Sequence, residues 1–371
     1  MEVIIAGKQL AADAIVALDV AGREHLVLVA KATWSIPAPG GRPRPLPPQP
    51  LEPSDVFVED PGQSAMLYGS DFARFKPRCD VLFNASAHAP NSQPVREMQV
   101  GWQVGPLIKG LNVVGPRVWE KRMGGIKLSK PEPFTRMPLH FGQAFGGTRY
   151  YEKGRGAQKQ LFADTLLTNP NGIGWFGPHT RGEIEGAPVA NLEDPKNPIR
   201  KPDGNNPPIA FSAIARHWDP RKNYAGTYDE TWRKEVFPLL PKDFDERFHQ
   251  CAPQDQQMDY PKGGEQVTLR YMMADRDDVR FRLPALNNVK FRILRTDYSS
   301  EMPTPVVDTL YFEPDEARFS AVWRASVPIK RRIQEFDTIA IGPVDPHWWE
   351  MIQQGASGGC QGCSQDDATA N

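Results

Sequence analysis

Cysteine is scarce: the 371 residues hold four, Cys79, Cys251, Cys360 and Cys363. That sparseness argues against a disulfide scaffold and fits a reducing compartment. Excess charge of one sign is also missing, since 44 Lys and Arg stand against 45 Asp and Glu for a formal net charge of −1. No bulk positive charge is present to neutralise a phosphate backbone, which argues against nucleic-acid binding. Long hydrophobic runs are absent too. Lys8, Asp13 and Asp19 interrupt the first twenty residues, which lack a basic region followed by an apolar core. Neither a signal peptide nor a membrane span is expected, so the reading is a soluble cytoplasmic protein with no membrane insertion. Walker-type loops and H-E-x-x-H are missing, and the G-x-G-x-x-G run that begins with G-I-G at 172–174 lacks the strand-then-helix context that a phosphate cradle needs. No cofactor, no metal and no catalytic residue is expected.

Proline (37) and glycine (31) are plentiful, while hydrophobic residues make up 40% and aromatics 10%. That combination predicts many short strands joined by constrained turns. Residues 24–36 alternate, with Leu26, Leu28, Ala30, Ala32, Trp34 and Ile36 on one face and Val27, Val29, Lys31, Thr33 and Ser35 on the other, the period of a β-strand. Eight prolines follow within Pro37–Pro53. Proline donates no ladder hydrogen bond, so this stretch reads as an extended connector. Strand signals resume at 78–88, 95–104, 107–114 and 116–121. They return at 266–274, 279–283, 289–297, 306–313, 317–327 and 336–342, with 317–327 reading as half-buried. Between them, 122–265 shows little strand periodicity, yet its aromatics argue against disorder. Two short helices are expected there, at 229–236 and 243–249.

The fold class is therefore mainly β, with antiparallel sandwich or barrel-like sheets from both chain ends, a large loop-rich aromatic middle and a few short helices. Residues 1–345 read as one domain, comprising an N-terminal β part (1–121), the middle (122–265) and a C-terminal β part (266–345). A short helix and a flexible C-x-x-C tail occupy 346–371.

The densest stretch is Arg216–Gln257, where Trp218, Tyr224, Tyr228, Trp232, Phe237, Phe244 and Phe248 lie among Asp219, Asp229, Asp243, Asp245 and Asp255. Paired carboxylates beside aromatic platforms are what glycoside chemistry requires. Asp229 and Asp243 also stand where helix starts favour negative charge, which makes capping the preferred role. His217, His249 and Cys251 lack the spacing of a zinc set. Cys79 precedes a strand and reads as a buried small hydrophobe. Cys360 and Cys363 have no second pair for a structural zinc site.

Several segments together resemble one family: LVLVAKATWSI near the start, VGWQVGPLIKGLNVVGPRVWE (100–120), PFTRMPLHFGQAFGG (133–147) and NPNGIGWFG (169–177). The pattern continues through ANLEDPKNPI (190–199), Pro207 and Pro208, RHWDPRKNYAGTYDETW (216–232), PLLPKDFDERFHQCAPQDQQ (238–257), GGEQVTLRYM (263–272) and RFRLP (280–284). Their order and spacing, over roughly residues 20–300, resemble the type VI secretion adaptor or chaperone family, formerly a domain of unknown function. The resemblance implies a cytoplasmic, non-catalytic accessory protein that helps load an effector, often PAAR-linked, onto the VgrG spike. It carries over no catalytic residue and no interface residue. From the residues themselves, Trp175, Phe176, Trp218, Tyr224, Tyr228 and Trp232 are the protein-binding candidates, because interfaces use aromatic anchors. The alternative is a carbohydrate-active β-sandwich enzyme or lectin using the Asp and aromatic cluster of 216–257.

Overall fold

The computed structural model describes residues 3–354, so Cys360 and Cys363 of the tail lie outside the described residues. In chain order the principal strands begin with β1 (Val3–Ala6), β2 (Ala11–Leu18), β3 (Glu24–Ser35), β4 (Cys79–Phe83), β5 (Glu97–Val104) and β6 (Leu107–Val114). The middle contributes a hairpin, β7 (Thr148–Lys153) and β8 (Gln160–Thr165). The C-terminal part adds β9 (Gln266–Met273), β10 (Arg276–Arg282), β11 (Phe291–Arg295), β12 (Val306–Glu313), β13 (Arg318–Pro328) and β14 (Phe336–Ile341). Two α-helices occur among the described residues, α1 (Glu230–Glu235) and α2 (Pro346–Gln353).

The largest sheet runs Gln257–Met258, β4, β12, β13, β3, β2, with Pro45–Leu46 added beside β3. Its neighbours are antiparallel except β4 and β12, which are parallel. β3 from the N-terminal part pairs with β13 from the C-terminal part, from Ser35 opposite Arg318 to His25 opposite Pro328. The two strand-rich ends thus share one sheet. A second, antiparallel sheet orders Leu192–Glu193, β6, β5, β9, β10. The two meet face to face through Phe83 and Trp102, with ring centroids 4.9 Å apart, and through Phe281 and Phe319 at 5.4 Å. A third sheet joins β1, β14, β11 and Ser300–Glu301. The sheets stay open at their edges, and no closed barrel forms among the described residues.

The alternation of β3 sorts its side chains between two cores. Leu26, Leu28, Ala30, Ala32 and Ile36 enter the main core, while Val27 and Val29 join Val322, Ile15, Leu51 and Phe72 on the opposite face. The proline-rich connector supplies part of that second cover. Leu51 packs there, and the Pro50 carbonyl accepts from Lys31 Nζ at 2.9 Å. The same cover corrects the half-buried reading of 317–327: Ser320, Val322 and Arg324 are buried as fully as Phe319 and Trp323.

Charges lie inside this second layer. Lys31 meets Asp71 at 2.5 Å, Asp71 also accepts from Tyr68 Oη, Arg324 pairs with Asp308, and Lys76 meets Asp80 at 3.0 Å. Arg324 also donates to the carbonyls of Asp71 and Ala73 at 2.7 and 2.8 Å. Burial opposes the charge on Lys76, yet the adjacent Asp80 raises its pKa above the ordinary lysine value. Such pairs survive in a dry interior only when nearly every polar atom is matched.

The middle is less regular but has its own core of Trp119, Phe145, Phe176, Ile184, Val189 and Ile199. The hairpin β7–β8 was not foreseen. Its Tyr150, Leu161 and Phe162 are exposed, so no buried face imposes alternation on its sequence. Strands β1 and β2 were unforeseen as well; β2 is an edge strand with Val16 in solvent. Helix α1 forms within the expected 229–236, whereas 243–249 gives only a short 3-10 turn at Glu246–His249.

Candidate functional site

Arg216–Gln257 is fastened to the main sheet at its C-terminal end. Asp80, on β4, accepts from the backbone N–H of Cys251 at 3.0 Å and of Ala252 at 3.3 Å. Gln256, fully buried, donates to the carbonyls of Val81 and Phe211, and Lys109 bridges it to Asp255 at 2.8 and 2.9 Å. Arg74 on the preceding loop pairs with Glu246, and Arg216 reaches back to Asp55 at 2.7 Å. These ties replace a strand ladder and offset the entropy of ordering an irregular chain.

The carboxylates proposed for chemistry hold local backbone instead. Asp229 accepts from Trp232 N at 2.8 Å and caps α1. Asp243 accepts from the backbone N–H and hydroxyl of Thr227 at 3.0 and 2.7 Å. Asp245 accepts from Arg247 N at 2.9 Å and pairs with the Arg247 guanidinium. Hydrogen bonds from Thr227 to Asp243 and from Arg247 to Asp245 hold both carboxyls below the ordinary carboxylate range, which favours their ionised, hydrogen-bond-accepting forms. This local work weighs against the carbohydrate reading, which needs free carboxylates facing one another. Gly226 turns the chain at φ +82°, where an added Cβ would meet Pro241 and Asp243, so only glycine fits comfortably.

His217 accepts from Trp218 Nε1 at 2.9 Å, and His249 stands 3.7 Å from Glu246. Burial, with the nearby cations Arg324, Arg221, Lys76 and Arg216, drives His249 down to about 3, so it is neutral near pH 7. Cys251 is buried beside Asp80, and burial with that carboxylate pushes its thiol up to about 12. Cys79 is likewise buried. Neither thiol has the exposed, electropositive setting of a reactive cysteine. Among the described residues no three His, Cys, Asp or Glu side chains converge as metal ligands.

The six aromatic candidates separate. Phe176 and Trp218 are fully buried, the first in the satellite core under the Arg149 guanidinium at 3.7 Å, the second edge-on to Phe141 at 5.9 Å. Burial removes both from any contact face. Trp175 is half-buried against the satellite core, and Tyr224 is half-buried beneath Arg247 at 4.3 Å. Tyr228 and Trp232 do come together, with centroids 4.7 Å apart at 70°. Trp232 then meets Phe237 at 5.6 Å and 89°, and its Nε1 donates to the Leu239 carbonyl at 2.9 Å. Tyr228 is 55% exposed, Phe237 66% and Leu239 37%. Phe237 and Leu239 were not among the expected contact residues. The available signal was the pair Pro238 and Pro241 just past a capped helix, which stop that helix and leave the apolar residues beside them outside any regular element.

The chain is a β-rich protein that carries a braced aromatic outcrop on irregular, capped backbone. No helix among the described residues is long and apolar enough to cross a membrane. Residues 21–324 match the family model DUF2169, described as an uncharacterized protein conserved in bacteria, and the chain belongs to that family. No curated protein and no solved structure matches it.

Proposed function

We propose that this protein is a cytoplasmic, non-catalytic adaptor that binds a type VI secretion effector, including one joined to a PAAR-type tip domain, and helps load it onto the VgrG spike. The sequence resemblance supplies the system. The observation that carries the adaptor role is the outcrop of Tyr228, Trp232, Phe237 and Leu239, in which the half-buried Trp232 ring braces the exposed rings of Tyr228 and Phe237. Aromatic groups held rigid in the free protein lose little entropy on docking and serve as interface anchors. The caps of Asp229 and Asp245 and the Thr227–Asp243 hydrogen bonds hold the backbone around that outcrop.

The test is capture of the effector and spike proteins encoded beside this gene, using the tagged full chain and a Tyr228→Ala, Phe237→Ala double variant. The native protein should retain an effector, and the folded double variant should lose at least tenfold in affinity. Deleting the gene should stop secretion of that effector. Unchanged secretion with no captured neighbour would dispose of the adaptor reading.

A further inference from the structure

Six Lys and Arg side chains are buried among the described residues, and five of them bond a carboxylate directly: Lys31, Lys76, Lys109, Arg295 and Arg324. Arg221 is the sixth, and it forms no salt bridge with a described residue although it is 4% exposed. Its Nε donates to the Phe248 carbonyl at 2.8 Å and its Nη1 to the Ile214 carbonyl at 2.7 Å, with Met66 Sδ at 3.8 Å. Nη2 has no acceptor among the described residues. The closest acids are committed elsewhere, Asp55 to Arg216 and Ser70 N, and Asp80 to Lys76 and Cys251 N. Burial accordingly pulls the Arg221 pKa below the ordinary guanidinium value. A buried charge without a counter-ion is expensive.

Arg221 lines a pocket of about 410 Å³, together with Tyr224, Arg78, Arg247, Gln250 and Gln254, and no Asp or Glu lines it. Gln254 is exposed and Tyr224 half-buried, and neither the Gln254 side chain nor the Tyr224 hydroxyl forms a hydrogen bond with a described residue. The other two arginines already have partners, Arg78 with Asp259 and Arg247 with Asp245. One buried cation is therefore left to be matched, which suits a singly charged anion better than a doubly charged phosphate. A carboxylate also offers two coplanar oxygens to a guanidinium edge and neighbouring amide donors.

We propose that the Arg221 pocket is a carboxylate-binding site, in which the ligand carboxylate accepts from Arg221 Nη2 with Gln254 and Tyr224 as auxiliary donors. The site is distinct from the Tyr228–Trp232 outcrop and goes beyond the adaptor reading; each can fail without the other, because this one is measured on the protein alone.

The experiment is a calorimetric and thermal-shift titration of the full chain with three probes at matched ionic strength against sodium chloride. They are glutamate capped as N-acetyl and N-methylamide, sodium succinate, and sodium phosphate. A saturable signal from capped glutamate supports the proposal and assigns the site to an acidic side chain of a protein. Saturation by succinate alone supports it and assigns the site to a free acid. Arg78→Glu, on the half-exposed rim, should leave the fold intact and weaken carboxylate binding at least tenfold. Arg221→Gln should abolish binding, with circular dichroism checking that it folds. The proposal is overturned by no saturable signal from either carboxylate, by phosphate binding as tightly as the carboxylates, or by unchanged affinity in Arg78→Glu.

Discussion

Asp308 and Asp229 show two ways in which this protein uses a carboxylate. In the main sheet, Asp308 is fully buried and balances Arg324, itself bonded to two carbonyls of the 71–73 loop. In the 216–257 layer, Asp229 is exposed and closes the first turn of a helix of six residues. The first carboxylate sits where leaving a partner uncompensated is costly, the second where water can replace most of what is lost. Charge in the core ties distant strands together, whereas charge in the loop layer fixes local backbone that has no ladder.

The sharpest way to break this contrast is Asp308→Ala, which strands Arg324 in the interior. It should cost about 3–5 kcal/mol of stability in urea unfolding; a loss comparable to that of a surface cap would mean the buried layer is hydrated. Next is His249, at the seam between the two regions. Folding holds it near 3, against an ordinary value of 6.5, so the unfolded chain takes up its proton first as the pH falls. The associated stability is fully present above about pH 6.5 and is lost as pH falls toward 3. Between pH 7 and pH 5 this residue should account for about 2 kcal/mol of lost stability. His249→Gln should flatten that leg of the profile, and parallel pH profiles for the two proteins would contradict the assignment. Asp229→Ala should cost about 1 kcal/mol, the usual worth of an N-cap, read as a small shift in the denaturation midpoint. Smallest in stability is Tyr228→Ala, expected within about 0.5 kcal/mol of the native protein, while the proposed effector capture should weaken. A large stability loss there would show that the ring builds the layer instead of facing a partner.

Much of the sheet framework was legible because successive side chains of a strand point to opposite faces and apolar runs are bounded by turn residues. β3 does so from Leu26 to Ile36, and nearly every expected strand in the C-terminal part forms close to its predicted position. The capping role of Asp229 was also readable, since an Asp before a short helical run has a local use. The hairpin β7–β8 was not readable, because exposed faces carry no period. Nor was the fate of Trp218 and Phe176: aromatic residues of the same loop-rich middle entered the core or stayed in solvent according to contacts with Phe141 and Arg149, far away in sequence. The same reason hid the Arg221 pocket. Arg221 looks like any surface arginine until Ile214, Phe248 and Met66 close around it.

By itself the sequence determined what short-range physics decides: strand periodicity, proline-broken connectors, a capped helix, and a composition with balanced charge, few cysteines and no long apolar runs. The tertiary structure alone decided which end pairs with which, which charges are buried, and which rings of the 216–257 layer remain outside. Those outcomes depend on partners brought together across the chain, as Lys31 is with Asp71 and Arg324 with Asp308, and no local pattern encodes who those partners will be.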